Sequence, residues 1–451
     1  MSLSNMYPDH SNEQIAIIGL GFVGLPLAML LVHKGFKVIG IDIDITKINN
    51  LNEGKSLSPD IDGKEVKELV SAGQLTVTTD YDRVKDADII IIAVPTPLGE
   101  DQNPELSYLE SVGRALSPRI QKGQLIILES SSFPGTTRDI LMPLLKTSGL
   151  QIGRDVHLAY SPERIDPGNK DFSLAQIPKV VSGLTEKCAD HVFRFYSKVF
   201  DQVFKVSSLE VAELSKLLEN TYRLINISFM NEFAQLCDEL QIDAWEVINA
   251  SSTKPYGFQA FYPGPGIGGH CIPVDPLYLQ WKAKQSGFQS RFITLAHIMN
   301  EQISNYIADQ IKEHLSCEAD LKDVNILIYG VTYKKDTSDI RESPALSLIR
   351  VLLNWGASIH YHDPYIPEFS LDGLKYSSEP FTDDIFEKTD CVLIATDHSQ
   401  IPIEHILEKS KFVYDTRNVT KDLSGKANVV RFGGGGPGRA LHKYVSENSA
   451  V

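Results

Sequence analysis

The stretch Gln14-Ile15-Ala16-Ile17-Ile18-Gly19-Leu20-Gly21-Phe22-Val23-Gly24 decides the fold. A short apolar strand runs straight into G-x-G-x-x-G, an apolar helical pattern follows from Leu25 to His33, and a second strand, Lys37 to Ile41, ends at Asp42. Strand, glycine turn, helix, strand and an acid about twenty residues on form the dinucleotide-binding pattern. Gly19, Gly21 and Gly24 permit the tight turn and let backbone approach a pyrophosphate, whose charge sits at a helix N-terminus. Asp42 is placed to accept ribose hydroxyls and to oppose a 2′-phosphate, which favours NAD over NADP.

Moving outward, Asp88 to Val94, Leu125 to Leu128 and Val156 to Tyr160 have the composition of fully buried parallel strands. Ligands of such sheets lie beyond the carboxyl ends of the strands, where Thr96, Ser132 and Glu163 follow. Thr96 and Ser132 read either as cofactor contacts or as turn formers, and Glu163 either as a base or as a solvated loop carboxylate.

Ser207-Ser208-Leu209-Glu210 has the form of a capping box, opening a helix that runs past Asn231. Lys216 and Asn220, four apart, share one face of it. A surface pair is one reading; the apolar neighbours Leu214, Leu217, Leu218 and Ile225 favour the other, partial burial, where a lysine needs a purpose.

Gly264-Pro265-Gly266-Ile267-Gly268-Gly269-His270-Cys271-Ile272-Pro273-Val274-Asp275-Pro276 is a glycine-rich loop stiffened at its exit by two prolines. It presents Cys271 either as a nucleophile or as a small buried hydrophobe, and Asp275-Pro276 resembles an N-cap and first turn for a helix Leu277 to Lys284. A second long helical pattern covers Phe292 through Leu315. A new sheet then begins, with strands at Val324 to Gly330, Ser358 to Tyr361, Cys391 to Thr396 and Phe412 to Tyr414, and a helix Pro344 to Trp355 capped by Ser343. Its first loop carries Lys334, Lys335 and Arg341, read either as a solvated charged loop or, from its place at a strand's carboxyl end, as a phosphate site.

The expected fold is therefore α/β: two doubly wound Rossmann-like domains joined by a central helical module. Boundaries fall at 1–205, 206–316 and 317–430, with 431–451 a flexible tail and the central helices a candidate dimer interface. The 451 residues fit two or three domains. A formal net charge of −15 argues against nucleic acid and anionic membranes as partners. Five scattered cysteines lack metal-ligand spacing and suit a reducing, cytoplasmic compartment, and no apolar run spans a membrane.

With these motifs in order, the chain resembles the nucleotide-sugar 6-dehydrogenases, the UDP-glucose and GDP-mannose dehydrogenase family, from Ile15 to about Asn418. Thr253-Lys254-Pro255-Tyr256-Gly257-Phe258 and the Tyr262 to Pro276 loop are most like the UDP-N-acetylglucosamine branch. The resemblance implies NAD as cofactor, a UDP-sugar as substrate and a homodimer or higher homo-oligomer. It makes Cys271 the nucleophile, Asp275 its activator or that of a water, Lys216 and Asn220 the groups stabilising the C6 oxyanion, and Glu163 an aid to thioester hydrolysis. Lys334 and Arg417 would bind substrate with Gly268 and His270, and Arg341 the NAD. The chain departs from UDP-glucose enzymes at His270, Pro167 and Pro255, so UDP-N-acetylglucosamine is the expected substrate. UDP-glucose and the N-acetylgalactosamine and N-acetylmannosamine forms are alternatives. A two-electron hydroxyacid dehydrogenase has no use for Cys271, and a non-catalytic NAD-binding regulator none for Lys216 and Asn220.

Overall fold

The computed structural model describes residues 13–55, 61–99, 101–165, 172–317 and 320–435. The chain divides into two compact units, Met1–Asn220 with Val274–Gln289, and Thr221–Pro273 with Ser290–Val451. The expected central module, 206–316, contributes residues to both units. Its long helix, Leu209–Leu240, begins in the first unit and ends in the second.

Unit one is built on eight strands: β1 (Gln14–Ile18), β2 (Lys37–Ile41), β3 (Leu75–Thr78), β4 (Ile89–Ile92), β5 (Leu125–Leu128), β6 (His157–Tyr160), β7 (Lys179–Gly183) and β8 (Val203–Lys205). They lie in the order β3-β2-β1-β4-β5-β6-β7-β8. All neighbours are parallel except β6 and β7. The order reverses between β1 and β4, whose runs Ile-Ala-Ile-Ile and Ile-Ile-Ile-Ile are buried on both faces. Helices cover both: Leu27, Leu31 and Phe36 pack with Ile15 and Ile17, while Leu109, Val112 and Leu116 pack with Ile90 and Ile92.

Unit two holds β9 (Asn325–Tyr329), β10 (Ser358–His362), β13 (Cys391–Ile394), β14 (Phe412–Asp415) and β15 (Asn428–Arg431) in the order β10-β9-β13-β14-β15, all parallel. A hairpin, β11 (Glu368–Leu371) and β12 (Leu374–Ser377), stands apart. The helices Arg291–His314 and Pro344–Asn354 cover one face through Ile303, Ile307, Leu348 and Leu352.

Three local expectations are corrected. The long helix is capped by Ser208, whose hydroxyl accepts from Val211 N at 3.2 Å, rather than by Ser207. The helix after the cysteine loop starts at Asp275, and Asp275 is not its cap. The segment 431–435 is no tail: Phe432 is fully buried, and Gly433 N and Gly435 N donate to Asp238 at 3.1 Å each. Pro167, and the rest of the expected tail from 436 on, lie outside the described residues.

Candidate functional site

In unit one, every residue expected at the cofactor follows a strand's carboxyl end: Gly19 after β1, Asp42 after β2, Thr96 after β4 and Ser132 after β5. Gly19 has φ +96°, and a Cβ there would lie 2.5 Å from Ala93 O. On Gly24 a Cβ would lie 1.8 Å from Gly19 O, so the helix Gly24–His33 starts against the turn itself. Gly21 is different: no atom lies within 4 Å of where its Cβ would be. That open space at a helix N-terminus is where backbone can approach a pyrophosphate, and it fits NAD. Asp42, buried, accepts from Leu20 N at 2.8 Å and Asp44 N at 3.0 Å and pairs with Lys47 at 2.7 Å. Thr96 and Ser132 are buried, and the backbone carbonyl of Thr96 accepts from Tyr278 OH at 2.6 Å.

The same unit brings Lys216, Asn220 and Asp275 together. Lys216 is 7% exposed, Asn220 5% and Asp275 1%, so the buried reading of the helix pair holds. Of the neighbours expected to support it, Leu217 is buried, packing with Phe133, Val274 and Tyr278, and Ile225 is partly buried, whereas Leu214 and Leu218 are exposed. Asn220 Nδ2 donates to Asp275 Oδ2 at 2.5 Å. Burial pushes the Asp275 carboxyl up to about 6, against the pull of Lys216 and the Asn220 amide. A carboxylate near neutrality beside a lysine and an amide donor is equipped to accept a proton.

Two anchors that the sequence did not reveal hold these helices to the strand-end loops. Glu213, one turn before Lys216, accepts from Gly135 N, Thr137 N and Thr137 Oγ1 at 2.6 to 2.9 Å. Tyr278, one turn after Asp275, donates to the carbonyls of Thr96 and Pro97.

Glu163 is not a solvated carboxylate. It is 8% exposed, its Oε1 accepts from Arg164 N and Ile165 N at 2.6 Å each, and its Oε2 meets Lys179 Nζ at 3.1 Å. Lys179, itself 3% exposed, also meets Glu129 Oε1 at 3.0 Å. The signals were an acid directly after the buried run of β5 and a lysine opening β7; both pass for ordinary strand ends.

In unit two the cysteine loop is clamped from three sides. Asn231 Oδ1 accepts from Gly264 N at 2.9 Å, Asn300 Oδ1 accepts from Ile267 N at 2.7 Å, and Arg341 O accepts from Gly269 N at 3.2 Å. Gly266 and Gly269 have φ of +132° and +84°, and a Cβ on Gly268 would overlap Glu342 O at 2.4 Å. The loop therefore lies flat on residues 333–344, and Cys271 emerges exposed at its end. His270 is half-buried, and burial first, then Arg341, holds its imidazole below its usual value. Arg341 is paired with Asp339 at 2.6 Å, and that bond is the main reason its guanidinium is held above its usual value. Lys334 follows β9 in a loop fixed by Thr332 and Thr337, whose hydroxyls donate to its carbonyl at 2.8 and 3.0 Å. Arg417 follows β14, donates to Ala395 O at 2.9 Å, and lies with Nη1 3.0 Å from where a Cβ on Gly264 would be. Lys334, Arg341, Arg417, Gly268, His270 and Cys271 thus belong to one unit, and Gly19, Asp42, Lys216, Asn220, Asp275 and Glu163 to the other.

No helix among the described residues is long and apolar enough to cross a membrane, and among them no cluster of His, Cys, Asp and Glu suits a metal ion.

Family models of the UDP-glucose/GDP-mannose dehydrogenases match in three parts: the NAD-binding domain at residues 13–201, the central domain at 210–302 and the UDP-binding domain at 327–422. The chain is 34% identical to a UDP-N-acetyl-D-mannosamine dehydrogenase of Pyrococcus horikoshii over 91% of its length and 96% of the relative's. To a UDP-N-acetyl-D-glucosamine 6-dehydrogenase of Pseudomonas aeruginosa it is 32% identical, over 89% and 97%. The solved UDP-D-ManNAc dehydrogenase of P. horikoshii superposes with a TM-score of 0.85 at 31% identity, covering 94% of this chain and 99% of that one. The chain belongs to the UDP-glucose/GDP-mannose dehydrogenase family and is an NAD-dependent nucleotide-sugar dehydrogenase.

Proposed function

We propose that the protein oxidises the C6 hydroxyl of a UDP-N-acetylhexosamine to the carboxylate, in two hydride transfers linked by a covalent bond to Cys271. The observation that carries this is the clamped loop: an exposed thiol on a backbone fixed by Asn231, Asn300 and three close-packed glycines has a use only if sulfur attacks a carbonyl. NAD, when bound, accepts the hydride. The primary alcohol loses a proton and a hydride to give an aldehyde. The Cys271 thiolate adds to the aldehyde carbon, and the thiohemiacetal loses a second hydride to become a thioester. Water then adds, the C–S bond breaks, and the carboxylate leaves. Per sugar, two NAD and one water are consumed, and two NADH and three protons appear. Lys216 and Asn220 stabilise the oxyanion in each tetrahedral species, Asp275 takes the proton of the thiol or the water, and Glu163 orients that water. Lys334 and Arg417 hold the diphosphate side of the substrate, with Gly268 and His270 facing the sugar, and Arg341 contacts NAD.

UDP-N-acetyl-D-glucosamine is the proposed sugar, on the likeness of the 253–258 and 262–276 stretches to that branch; the mannosamine named for the P. horikoshii relative is the second reading. We further infer a homodimer, because Tyr222, Phe229, Leu236 and Leu240 are exposed on the long helix. The test is NADH yield and kcat/KM on the gluco, manno and galacto N-acetyl substrates and UDP-glucose. Two NADH per sugar are expected, with the gluco form preferred and Cys271→Ser inactive. One NADH per product, an active Cys271→Ser, or a preference for UDP-glucose would refute the corresponding part.

A further inference from the structure

Unit one contains a buried ionic cluster larger than the reaction above requires. Lys179 opens β7 and lies between Glu129, which ends the β5 run, and Glu163, beyond β6; all three are buried at the carboxyl edge of the sheet. Tyr196 OH donates to the same Glu129 Oε1 that Lys179 meets, and the rings of Tyr196 and Phe200 flank the ammonium at 5.3 and 5.2 Å. Tyr160 on β6 donates to Ser130 O at 3.4 Å, and Arg164 is turned away to pair with Glu219 at 2.8 Å.

One cation serves two buried carboxyl groups, and the two are not treated alike. Glu163 receives the ammonium and two backbone N–H groups, which fix both its oxygens. Glu129 shares the ammonium and receives one phenol on Oε1, while its Oε2, also buried, has no donor among the described residues. Two charged carboxylates here would leave a net buried negative charge and a bare oxygen, both costly. One proton on Glu129 removes the net charge, and Glu163, linked to Glu129 by a side-chain hydrogen bond, is there to accept from it.

We propose that Lys179 is a positioning residue for the hydrolytic half of the reaction, holding Glu163 ionised and aimed while the one proton of the cluster resides on Glu129. This rests on the reading of Glu163 as the group that orients water. Water's oxygen bonds to the thioester carbon as the C–S bond breaks; one water proton goes to sulfur and the other to solvent. Glu163 acts in that step as a fixed acceptor of a water O–H, and an aimed acceptor is lost if its charge or its direction is lost. The electrostatics agree. Burial pushes Glu129 up to about 7 against the pull of Lys179, with Glu163 adding to the rise. At Glu163, burial is outweighed by Lys179, by a side-chain hydrogen bond from Glu129 and by the Ile165 N–H, which hold it below its usual value. Pairs of acids pushed apart in this way divide into one that stays charged and one that carries the proton.

The test uses the full-length enzyme with UDP-N-acetyl-D-glucosamine and NAD. In Lys179→Met the first NADH burst should persist while deacylation slows by about 100-fold, the scale of a misplaced reacting group, so that an acyl adduct on Cys271 accumulates in intact-mass spectra. Lys179→Arg, which keeps the charge and the fold, should restore most of the rate. Wild-type deacylation should show a pH step near neutrality, and infrared difference spectra a protonated-carboxyl band titrating with it; Glu129→Gln should remove both. Unchanged deacylation in Lys179→Met, no recovery in Lys179→Arg, or a band that survives Glu129→Gln overturns the proposal. If Glu163→Gln itself fails to slow deacylation, the water-orienting reading of Glu163 falls and the positioning role falls with it. The infrared band then still decides, independently of turnover, whether Glu129 carries the proton.

Discussion

Gly19 after β1 and Gly330 after β9 do the same work in the two units. Their φ values are +96° and +82°, and their N–H groups donate to the last carbonyl of the next strand, Ile41 O at 2.8 Å and His362 O at 2.9 Å. In each, a Cβ would stand 2.5 Å from the strand end across the switch point, at Ala93 O and at Thr396 Cβ. The following N–H groups, of Leu20 and Val331, donate to the acids that end β2 and β10, Asp42 at 2.8 Å and Asp363 at 2.7 Å. There the likeness stops. After Gly19 the helix begins at Gly24, over the open Gly21; after Gly330 it waits until Pro344, and the loop between carries Lys334. Asp42 is met by a lysine and one further N–H, whereas Asp363 is saturated by His398 Nε2 at 3.2 Å and the N–H groups of Tyr365 and Ile366. The shared glycine and acid shape the turn. We propose that ligand choice lies in the segment between that glycine and the helix: bare backbone for a dinucleotide in one unit, Lys334 for a UDP-sugar in the other.

The equivalence of the two turns is broken most severely by adding a methyl group. Gly24→Ala meets Gly19 O at 1.8 Å and Gly330→Ala combines a left-handed φ with the Thr396 overlap, so each should cost more than about 4 kcal/mol in chemical denaturation or prevent folding. Gly330→Ala at wild-type stability would show that the second turn is not built like the first.

Asp363→Asn comes next, at about 2 to 3 kcal/mol, because it removes the charge from a buried, fully used acceptor. Burial works to raise the Asp363 carboxyl, but His398 and the Val331 N–H outweigh it and hold it below its usual value. A depressed folded pKa means that the stabilisation is complete above the unfolded value, about 3.9, and is lost as pH falls through the folded one. The gap between wild type and Asp363→Asn, followed by urea denaturation, should therefore be widest near neutrality and close in acid. A gap that widens in acid would contradict the assignment.

Lys334→Met should separate the units functionally. KM for the UDP-sugar is expected to rise about 10- to 30-fold, the loss of one charge-assisted phosphate contact, while KM for NAD stays put. Equal changes in both would mean that Lys334 does not belong to the substrate alone.

The sequence was legible where its information is local. The first turn was readable because three glycines and an acid at fixed spacing are requirements of one backbone path. The second was missed as a twin because its requirement reduces to one glycine before a polar loop and one acid after the next strand, Gly330 and Asp363, which resemble any other loop residues. Cys271, Lys216, Asn220 and Asp275 were visible by motif; the residues that hold them were not. Asn231, Asn300, Glu213 and Tyr278 act through single hydrogen bonds to backbone distant in sequence, and such bonds leave no periodicity. Glu163 stayed open between a base and a solvated carboxylate for a related reason: it looks exposed until Lys179, distant enough in sequence to carry no signal, is placed beside it.

The smallest effect concerns the acid that the two turns share. Asp42 keeps one oxygen less occupied than Asp363 does, which leaves it able to accept from a ribose hydroxyl, and its charge opposes a 2′-phosphate. Lys47, 2.7 Å away, complicates this, for it neutralises part of that charge in place. NADP should therefore be a poor cofactor for the wild type, but not an excluded one. Asp42→Asn retains an acceptor for Leu20 N while releasing Lys47 to meet a phosphate, so the NAD to NADP ratio of kcat/KM should fall about tenfold, or about 1.4 kcal/mol. Asp42→Asn with Lys47→Met should fall less, since the released cation is gone. If the double substitution discriminates no better than the single one, the charge of Asp42 alone sets the choice, and Lys47 serves only to hold the strand end in shape.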